Sequence, residues 1–479
     1  MRELLVSINK STKHKYQALA DGIRTAIRQG KVMPGEQLPS SRDLARQFRM
    51  HRHTVMTALA ELESEGWITS QAKKYYQVTE TLPDTFLHVK NSTGHLKSEE
   101  SREVKFARRV DIGNYTSADN FKHSFPSGFP DLRLFPMKEF KSHLSDALKT
   151  KGILSYSDPV GHPKLIEEVD KYIRRARSVA NRKIVITNGS QEALFLLAQC
   201  LIAPGDCVAV EALGYPPAIE ALKFAGGKFI PIPVDKEGLC VEDLERHLKK
   251  KKIKCLYTTP LHQYPTTVTL SAARRLKLYE LALKYGFLII EDDYDHEFHY
   301  VSQPVAPLAS FDPAGIVIYV STFSKILFPS SRVGFMAVPE KIGSEIAKLK
   351  RISSRQNEQI LQAAIAKWMA EGGFERHLRR MRRTYEERRN AIIGDLIQIR
   401  SVHPEISWAE PDGGMALWLD VGIDSTKFSE LLKRKSILVN PESAFRLDKK
   451  SGTHLRLGFS GYTAEENRSS LTAMFNLFP

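Results

Sequence analysis

At 479 residues the chain exceeds what one hydrophobic core usually serves, so two or three domains are expected. A hydrophobic content of 42% fills such cores, yet no apolar run approaches the ~18 residues of a membrane span, which argues against a helical membrane protein. The net charge of +15 admits nucleic acid or an anionic surface as partner without choosing between them. Cys200, Cys207, Cys240 and Cys255 form no CxxC pair and no metal spacing; they read as reduced core residues of a cytosolic protein without a metal. The opening residues, MRELLVSINKSTKHKY, lack the apolar core of a signal peptide.

From Tyr16 to Gln29 apolar residues recur at helical spacing, and Gly30 and Pro34-Gly35 stop the helix. In LPSSRDLARQF, Ser40 and Asp43 have the spacing of a capping box, which predicts a short helix over Ser41–Phe48. After a turn at Arg49-Met50 a second helix buries Val55, Leu59 and Leu62. Its first turn presents His51, Arg52, His53 and Thr54. Two short helices with a tight turn, the second opening on polar residues, describe a helix-turn-helix. Trp67 to Ser70 and Tyr75 to Thr79 alternate like strands around Lys73 and Lys74, which makes it a winged variant.

PGEQLPSSRDLA, the TV pair of the next helix and ELESEGWI resemble the GntR-type winged-helix DNA-binding head over about Tyr16 to Val78. The resemblance implies that Ser40, Arg42, Arg52, His53 and Thr54 face DNA, with Lys73 and Lys74 in the wing. Arginine can fork onto guanine or clamp a phosphate, and lysine adds sequence-blind phosphate contact. His51 and His53 stand where that family usually has Ser and Asn, and the wing lacks its usual glycines, so an operator sequence does not transfer.

Residues 81–120 lose periodicity through NSTGH and KSEESREVKFARR and read as a flexible linker between a head (1–80) and a large domain (121–479). Helices are expected over Met137–Lys149 and Leu165–Ala176. Beyond Lys183, short apolar strands (KIVIT, CVAVE, KFIPI, IKCLYTT, FLIIED, IVIYV, RVGFMAV) alternate with helices. That pattern predicts a mainly parallel α/β sheet with ligands at the strand C-terminal ends. NGSQEAL offers helix N-terminal N–H groups at Gly189, Ser190 and Gln191 as a phosphate seat. STFSKILFPSSRVGF sets Lys325 beside Thr322, Ser324 and Arg332. An amine among phosphate-grade donors suits pyridoxal 5′-phosphate (PLP), which carries an aldehyde and a phosphate.

From about His123 onward these positions resemble a fold-type I PLP-dependent aminotransferase, with a small C-terminal α+β subdomain from about residue 350. The resemblance implies that Lys325 is the catalytic lysine forming the internal aldimine and that Asp292 pairs with the pyridinium nitrogen. Tyr294 would bond the ring hydroxyl oxygen, and Tyr215 would stack on the ring. Gly189, Ser190, Gln191, Thr322, Ser324 and Arg332 would hold the phosphate, and Arg456 would fork onto a ligand carboxylate. HQYPT, EDDYDHEF and STFSK, together with the head, resemble the MocR/GabR group of bacterial regulators. Tyr264 there replaces the asparagine of ordinary aminotransferases; Thr267 and Ser331 depart from the group pattern. The expected function is transcriptional regulation, with a small amino compound sensed through an external aldimine by a cytoplasmic homodimer on double-stranded DNA. The alternatives are an active aminotransferase with an accessory head and a module that has lost PLP.

Overall fold

The computed structural model describes residues 14–71, 75–83, 120–125, 128–301 and 305–479. The chain divides into two compact units, Met1–Arg108 and Arg109–Pro479. Lys73, Lys74 and nearly all of the expected linker lie outside the described residues.

In the first unit α1 (Lys15–Arg28) buries Leu19, Ala20, Ile23, Ala26 and Ile27, one stripe at helical spacing. The next helix, α2 (Ser41–Gln47), starts at Ser40, whose hydroxyl oxygen accepts the Asp43 N–H at 3.2 Å. Asp43 does not complete a capping box: its carboxylate takes the Ser40 hydroxyl at 2.6 Å rather than a backbone N–H. Then α3 (Arg52–Ser64) buries Val55, Ala58, Leu59 and Leu62. An antiparallel pair, β1 (Ile68–Gln71) and β2 (Tyr75–Val78), completes the fold. Trp67, Ile68 and Val78 close its core against the helices.

The second unit is built on a seven-stranded sheet. Its order is Lys183–Thr187, Gly334–Val338, Val317–Thr322, Leu288–Asp292, Ile253–Thr258, Cys207–Glu211, Lys228–Ile232. All seven expected strands are present. Six run in one direction, and Gly334–Val338 is antiparallel to both of its neighbours. Side chains alternate between two cores: Ile184, Ile186, Ala209, Leu256, Ile289 and Tyr319 enter one, while Val185, Val208, Val210, Tyr257, Ile290 and Val320 enter the other. Both faces are covered, so the strands read as continuous apolar runs rather than as strict alternation. The two helices ahead of the sheet run over Met137–Ala147 and Pro163–Arg177. A smaller antiparallel sheet follows, in the order Ser407–Trp408, Ala416–Asp420, His454–Gly458, Asn440–Pro441. It is accompanied by the helices Gly373–Val402, Ser425–Arg434 and Ala464–Phe475. Among the described residues no helix is long and apolar enough to cross a membrane.

Candidate functional site

The parallel strands end on a common edge, and the cleft lies there. It encloses about 750 Å³ of empty space, part of it open to solvent. Ser190, Gln191, Tyr215, Tyr264, Asp292, Tyr294, Thr322, Ser324, Lys325 and Arg332 all line it. Ten of the side chains singled out in the sequence, from segments far apart in the chain, therefore meet in one place.

Lys325 follows directly on the strand Val317–Thr322, and its Nζ donates to the Gly128 carbonyl at 2.8 Å. Burial pushes its amine down to about 8, opposed by the Asp295 charge and aided by Arg456. A neutral amine is the nucleophile, so its reaction with an aldehyde should rise about tenfold per pH unit only up to about pH 8 and then level off. An ordinary lysine would keep climbing toward about 10.4. Borohydride trapping of pyridoxal on protein stripped of bound aldehyde, from pH 6 to 10, measures this; a rise that continues past pH 9 contradicts the placement.

Asp292 closes the strand Leu288–Asp292 and is fully buried. Its Oδ2 accepts the Tyr257 hydroxyl at 2.8 Å, while Oδ1 has no hydrogen-bond partner. Burial raises this carboxyl to about 7; the Tyr257 bond opposes the rise and the Asp293 charge adds to it. An orphaned carboxylate oxygen at such a depth calls for a cationic N–H, which would restore the ionised form.

Arg332 and the start of the helix Gly189–Leu201 together could seat an anion. The helix Gly189–Leu201 points its first N–H groups there, and Gly189 has φ +73°. A Cβ on Gly189 would lie 2.6 Å from Arg332 Nη2, and one on Gly334 would lie 2.7 Å from the Gly189 carbonyl carbon. Two glycines thus let the strand Gly334–Val338 and the Arg332 guanidinium close down on the helix start. Arg332 Nη2 donates to the Asn188 carbonyl at 2.7 Å. The Thr322 hydroxyl donates to Ser324 Oγ at 3.0 Å, so the two hydroxyls are neighbours on the cleft wall. Gln191 donates to the Pro217 carbonyl at 3.0 Å, and its Oε1 is buried without a partner.

The tyrosines form the third wall. Tyr264 meets Tyr215 edge-on at 5.1 Å and Tyr294 at 5.9 Å. Burial pushes the Tyr215 phenol up. The Tyr294 hydroxyl donates to the His262 carbonyl at 2.9 Å, so its proton is already engaged, and its oxygen takes a bond from Arg456. Arg456 adjoins this wall and is 1% exposed: its guanidinium carbon lies 4.3 Å from the centre of the Tyr264 ring, and it hydrogen-bonds the Tyr294 hydroxyl.

Two residues that pattern reasoning passed over complete the site. Tyr257 sits within the apolar run IKCLYTT and reads as core, yet it fixes Asp292. Glu211 is fully buried and accepts from Thr258 Oγ1 at 2.6 Å, Thr259 Oγ1 at 2.9 Å and Gln263 Nε2 at 3.0 Å. Burial raises its carboxyl while those bonds hold it down. A carboxylate closing the apolar strand CVAVE is the one signal that could have found it.

In the head, Ser40, Arg42, Arg52 and His53 are exposed and Thr54 is half-buried. Arg52 Nε donates to Ser41 Oγ at 3.3 Å, and the His53 N–H donates to His51 Nδ1 at 3.4 Å, so α2 and the first turn of α3 form one polar edge.

Residues 15–75 match the gntR family of bacterial regulatory proteins, and residues 125–474 match aminotransferase class I and II. A relative from Rhizobium meliloti is named as a probable rhizopine catabolism regulatory protein, MocR. It is 31% identical over 84% of this chain and 80% of its own length. The chain belongs to the MocR-type regulators. A second regulator of this kind, the HTH-type transcriptional regulator TauR of Rhodobacter capsulatus, is 27% identical over 91% of this chain and 90% of its own. Among solved structures, the kynurenine aminotransferase of Pyrococcus horikoshii, determined with PMP, covers 75% of this chain and 92% of its own. Its TM-score is 0.69 at 32% identity. In this MocR-type chain the second unit therefore has the fold of a PLP-dependent aminotransferase. The residues present fit PLP: an amine for its aldehyde, the orphaned Asp292 oxygen for its ring nitrogen, and the Gly189–Arg332 seat for its phosphate.

Proposed function

We propose that the chain is a cytoplasmic transcriptional regulator in which a PLP-holding domain (121–479, with a small subdomain from about 350) senses a small amino compound. The head (1–80) reads double-stranded DNA, and 81–120 connects the two. What supports this reading is one observation: the Lys325 amine, the orphaned Asp292 oxygen and the Arg332 seat open onto a single cleft in a chain that carries a gntR-family head. When bound, PLP supplies an aldehyde carbon for which Lys325 and an incoming primary amine compete. Asp292 keeps the ring nitrogen protonated. Arg332, Thr322, Ser324 and the helix N-terminus hold the phosphate dianion. Tyr215 would supply an aromatic face for the bound group, and the Lys325 amine, when free, would be placed to hold or move a proton.

Turnover would need more. Tyr264 presents a ring where a side-chain amide donor would serve an aminotransferase. Loss of one aligned donor costs about 1–3 kcal/mol, roughly ten- to a hundredfold in rate. The active-enzyme alternative keeps its support from Lys325 and Asp292. A two-state regulator needs only about 2.7 kcal/mol of differential effector binding to shift its equilibrium ~100-fold. Fold-type I sites are shared between subunits, so we assign a homodimer, which also sets two heads on paired half-sites.

The test is a gel-shift titration of the full-length protein on the DNA upstream of its own gene. Affinity should fall by roughly a thousandfold between 50 and 200 mM salt if six or more phosphates are neutralised. Arg52→Ala should weaken it by about tenfold or more, in line with one lost base or phosphate contact. An amine effector should change affinity in the wild type. Several turnovers per second with a natural amino donor and keto acid, without sequence-selective DNA binding, would sink the regulator reading.

A further inference from the structure

Glu211 is 2% exposed and closes the strand Cys207–Glu211, ahead of Tyr215 in the loop that follows. Its Oε1 accepts the Thr258 hydroxyl at 2.6 Å and the Thr259 N–H at 3.2 Å. Oε2 accepts the Thr259 hydroxyl at 2.9 Å and Gln263 Nε2 at 3.0 Å. These bonds favour the ionised carboxylate against its burial.

The side chains that hold Glu211 also hold Tyr264. Thr259 Oγ1 takes the Tyr264 N–H at 2.9 Å, and Gln263 Nε2 donates to the Tyr264 carbonyl at 2.7 Å. Both backbone polar groups of Tyr264 are thus one side chain removed from the same carboxylate. Gln263 is oriented in turn by its own oxygen, which accepts the Thr266 hydroxyl at 2.6 Å and the Thr266 N–H at 3.1 Å. Its Nε2 reaches the Leu213 carbonyl as well, at 2.8 Å, which ties in the loop that carries Tyr215. Phe445 joins the same knot: its carbonyl accepts the Gly214 N–H at 3.0 Å, and its ring meets Tyr264 edge-on at 5.5 Å.

We infer that Glu211 is a positioning residue for the aromatic wall: by holding Thr259 and Gln263 it sets the place of Tyr264, against which Tyr215 leans, and so the fit of PLP in the cleft. This rests on the PLP-holding reading above. Tyr215 and Tyr264 stand edge-on at 5.1 Å and both line the cleft, so a shift of the Tyr264 backbone moves the surface that PLP meets. A carboxylate that served the fold alone would leave that surface unchanged for as long as the chain stayed folded.

Glu211→Gln keeps the shape of the side chain and turns one acceptor oxygen into an NH2 group that faces donors. The full-length protein is stripped and reloaded with PLP. Equilibrium dialysis gives the affinity, visible circular dichroism of the bound PLP reports the asymmetry of its surroundings, and a thermal melt gives the stability of the fold. Glu211→Gln should weaken PLP affinity by about tenfold and lower the dichroism. In a Tyr264→Ala background, where Lys325, Asp292 and Arg332 still hold PLP, the same substitution should cost only about twofold, through the tie from Gln263 to Leu213. Its effect on the melt should be as large there as in the wild-type background. Thr259→Val removes the hydroxyl that stands between Glu211 and Tyr264; it should reproduce the loss, and it decides the matter where Glu211→Gln does not fold. Unchanged affinity and dichroism in these variants, or equal losses with and without Tyr264, overturns the inference and leaves PLP binding intact. A wild type that binds no PLP overturns the PLP reading itself, and the inference with it.

Discussion

Replacing Lys325 by alanine is expected to give a protein from which borohydride traps no PLP and whose DNA affinity no longer responds to amines. The size of the effect follows from the amine's setting. Held at about 8 by burial, Lys325 is about a tenth neutral at pH 7. A lysine at its usual ~10.4 would be neutral to only roughly 0.04%. The substitution removes the amine best placed and best deprotonated for the aldehyde, and covalent retention should drop by a hundredfold or more. Lys350 makes the experiment sharp. It is also fully buried and also pushed down to about 8, but it spends its protons on the Ile186 carbonyl and Asn357 and does not line the cleft. Mass spectrometry of the reduced protein should find the adduct on Lys325 in the wild type and on no lysine in Lys325→Ala. An adduct on Lys350 in either protein would show that deprotonation without placement suffices, and the cleft assignment would fail.

Gly189→Ala should weaken PLP binding by about a hundredfold, equivalent to about 2.7 kcal/mol. Two penalties act together. Gly189 has φ +73°, a left-handed conformation that costs an L-residue roughly 1–2 kcal/mol. The new methyl would also lie 2.6 Å from Arg332 Nη2, so the guanidinium must leave the seat or the helix start must shift. Gly286→Ala separates the two. Gly286 has φ +70° with nothing within 4 Å of an added Cβ, so it carries the strain alone. The Gly286 variant should lose thermal stability and keep its PLP affinity, while the Gly189 variant should lose both. Unchanged PLP affinity in Gly189→Ala would remove Arg332 and the helix start from the phosphate seat. Equilibrium dialysis with fluorescence detection measures the affinity, and a thermal melt measures the strain.

The strands and the order of residues at their ends were legible because a doubly covered sheet demands continuous apolar runs. KIVIT, CVAVE and IVIYV leave nothing polar until the chain reaches the ligand edge. The helix-turn-helix was legible for a similar reason: the stripe Leu19, Ile23, Ile27 and the cap at Ser40 are local signals. What stayed hidden depends on which way one side chain turns. Arg456 occupies a strand of alternating residues, and only the register against Ala416–Asp420, which pairs it with Trp418, sets it against the Tyr264 ring and the Tyr294 hydroxyl. Tyr257 and Glu211 were hidden by their company, a phenol in an apolar run and a carboxylate at the close of one. Their partners Asp292 and Gln263 lie 35 and 52 residues further along the chain. The direction of Gly334–Val338 was hidden as well, because an apolar strand has no sequence mark for parallel or antiparallel.

That reversed strand has a consequence in time. The strand Lys183–Thr187, first of the sheet to be synthesised, pairs with Gly334–Val338, which leaves the ribosome about 150 residues later. Until it arrives, the helix start at Gly189 has no Arg332 or Gly334 to close down on it, and the seat for an anion is incomplete. Translation at roughly 5–20 residues per second leaves an interval of about 13–50 s between completion of the head near residue 80 and closure of the sheet near residue 338. Domains that emerge first fold first. Each nascent chain thus carries a complete gntR-family head for that interval before the cleft of its second unit can hold anything.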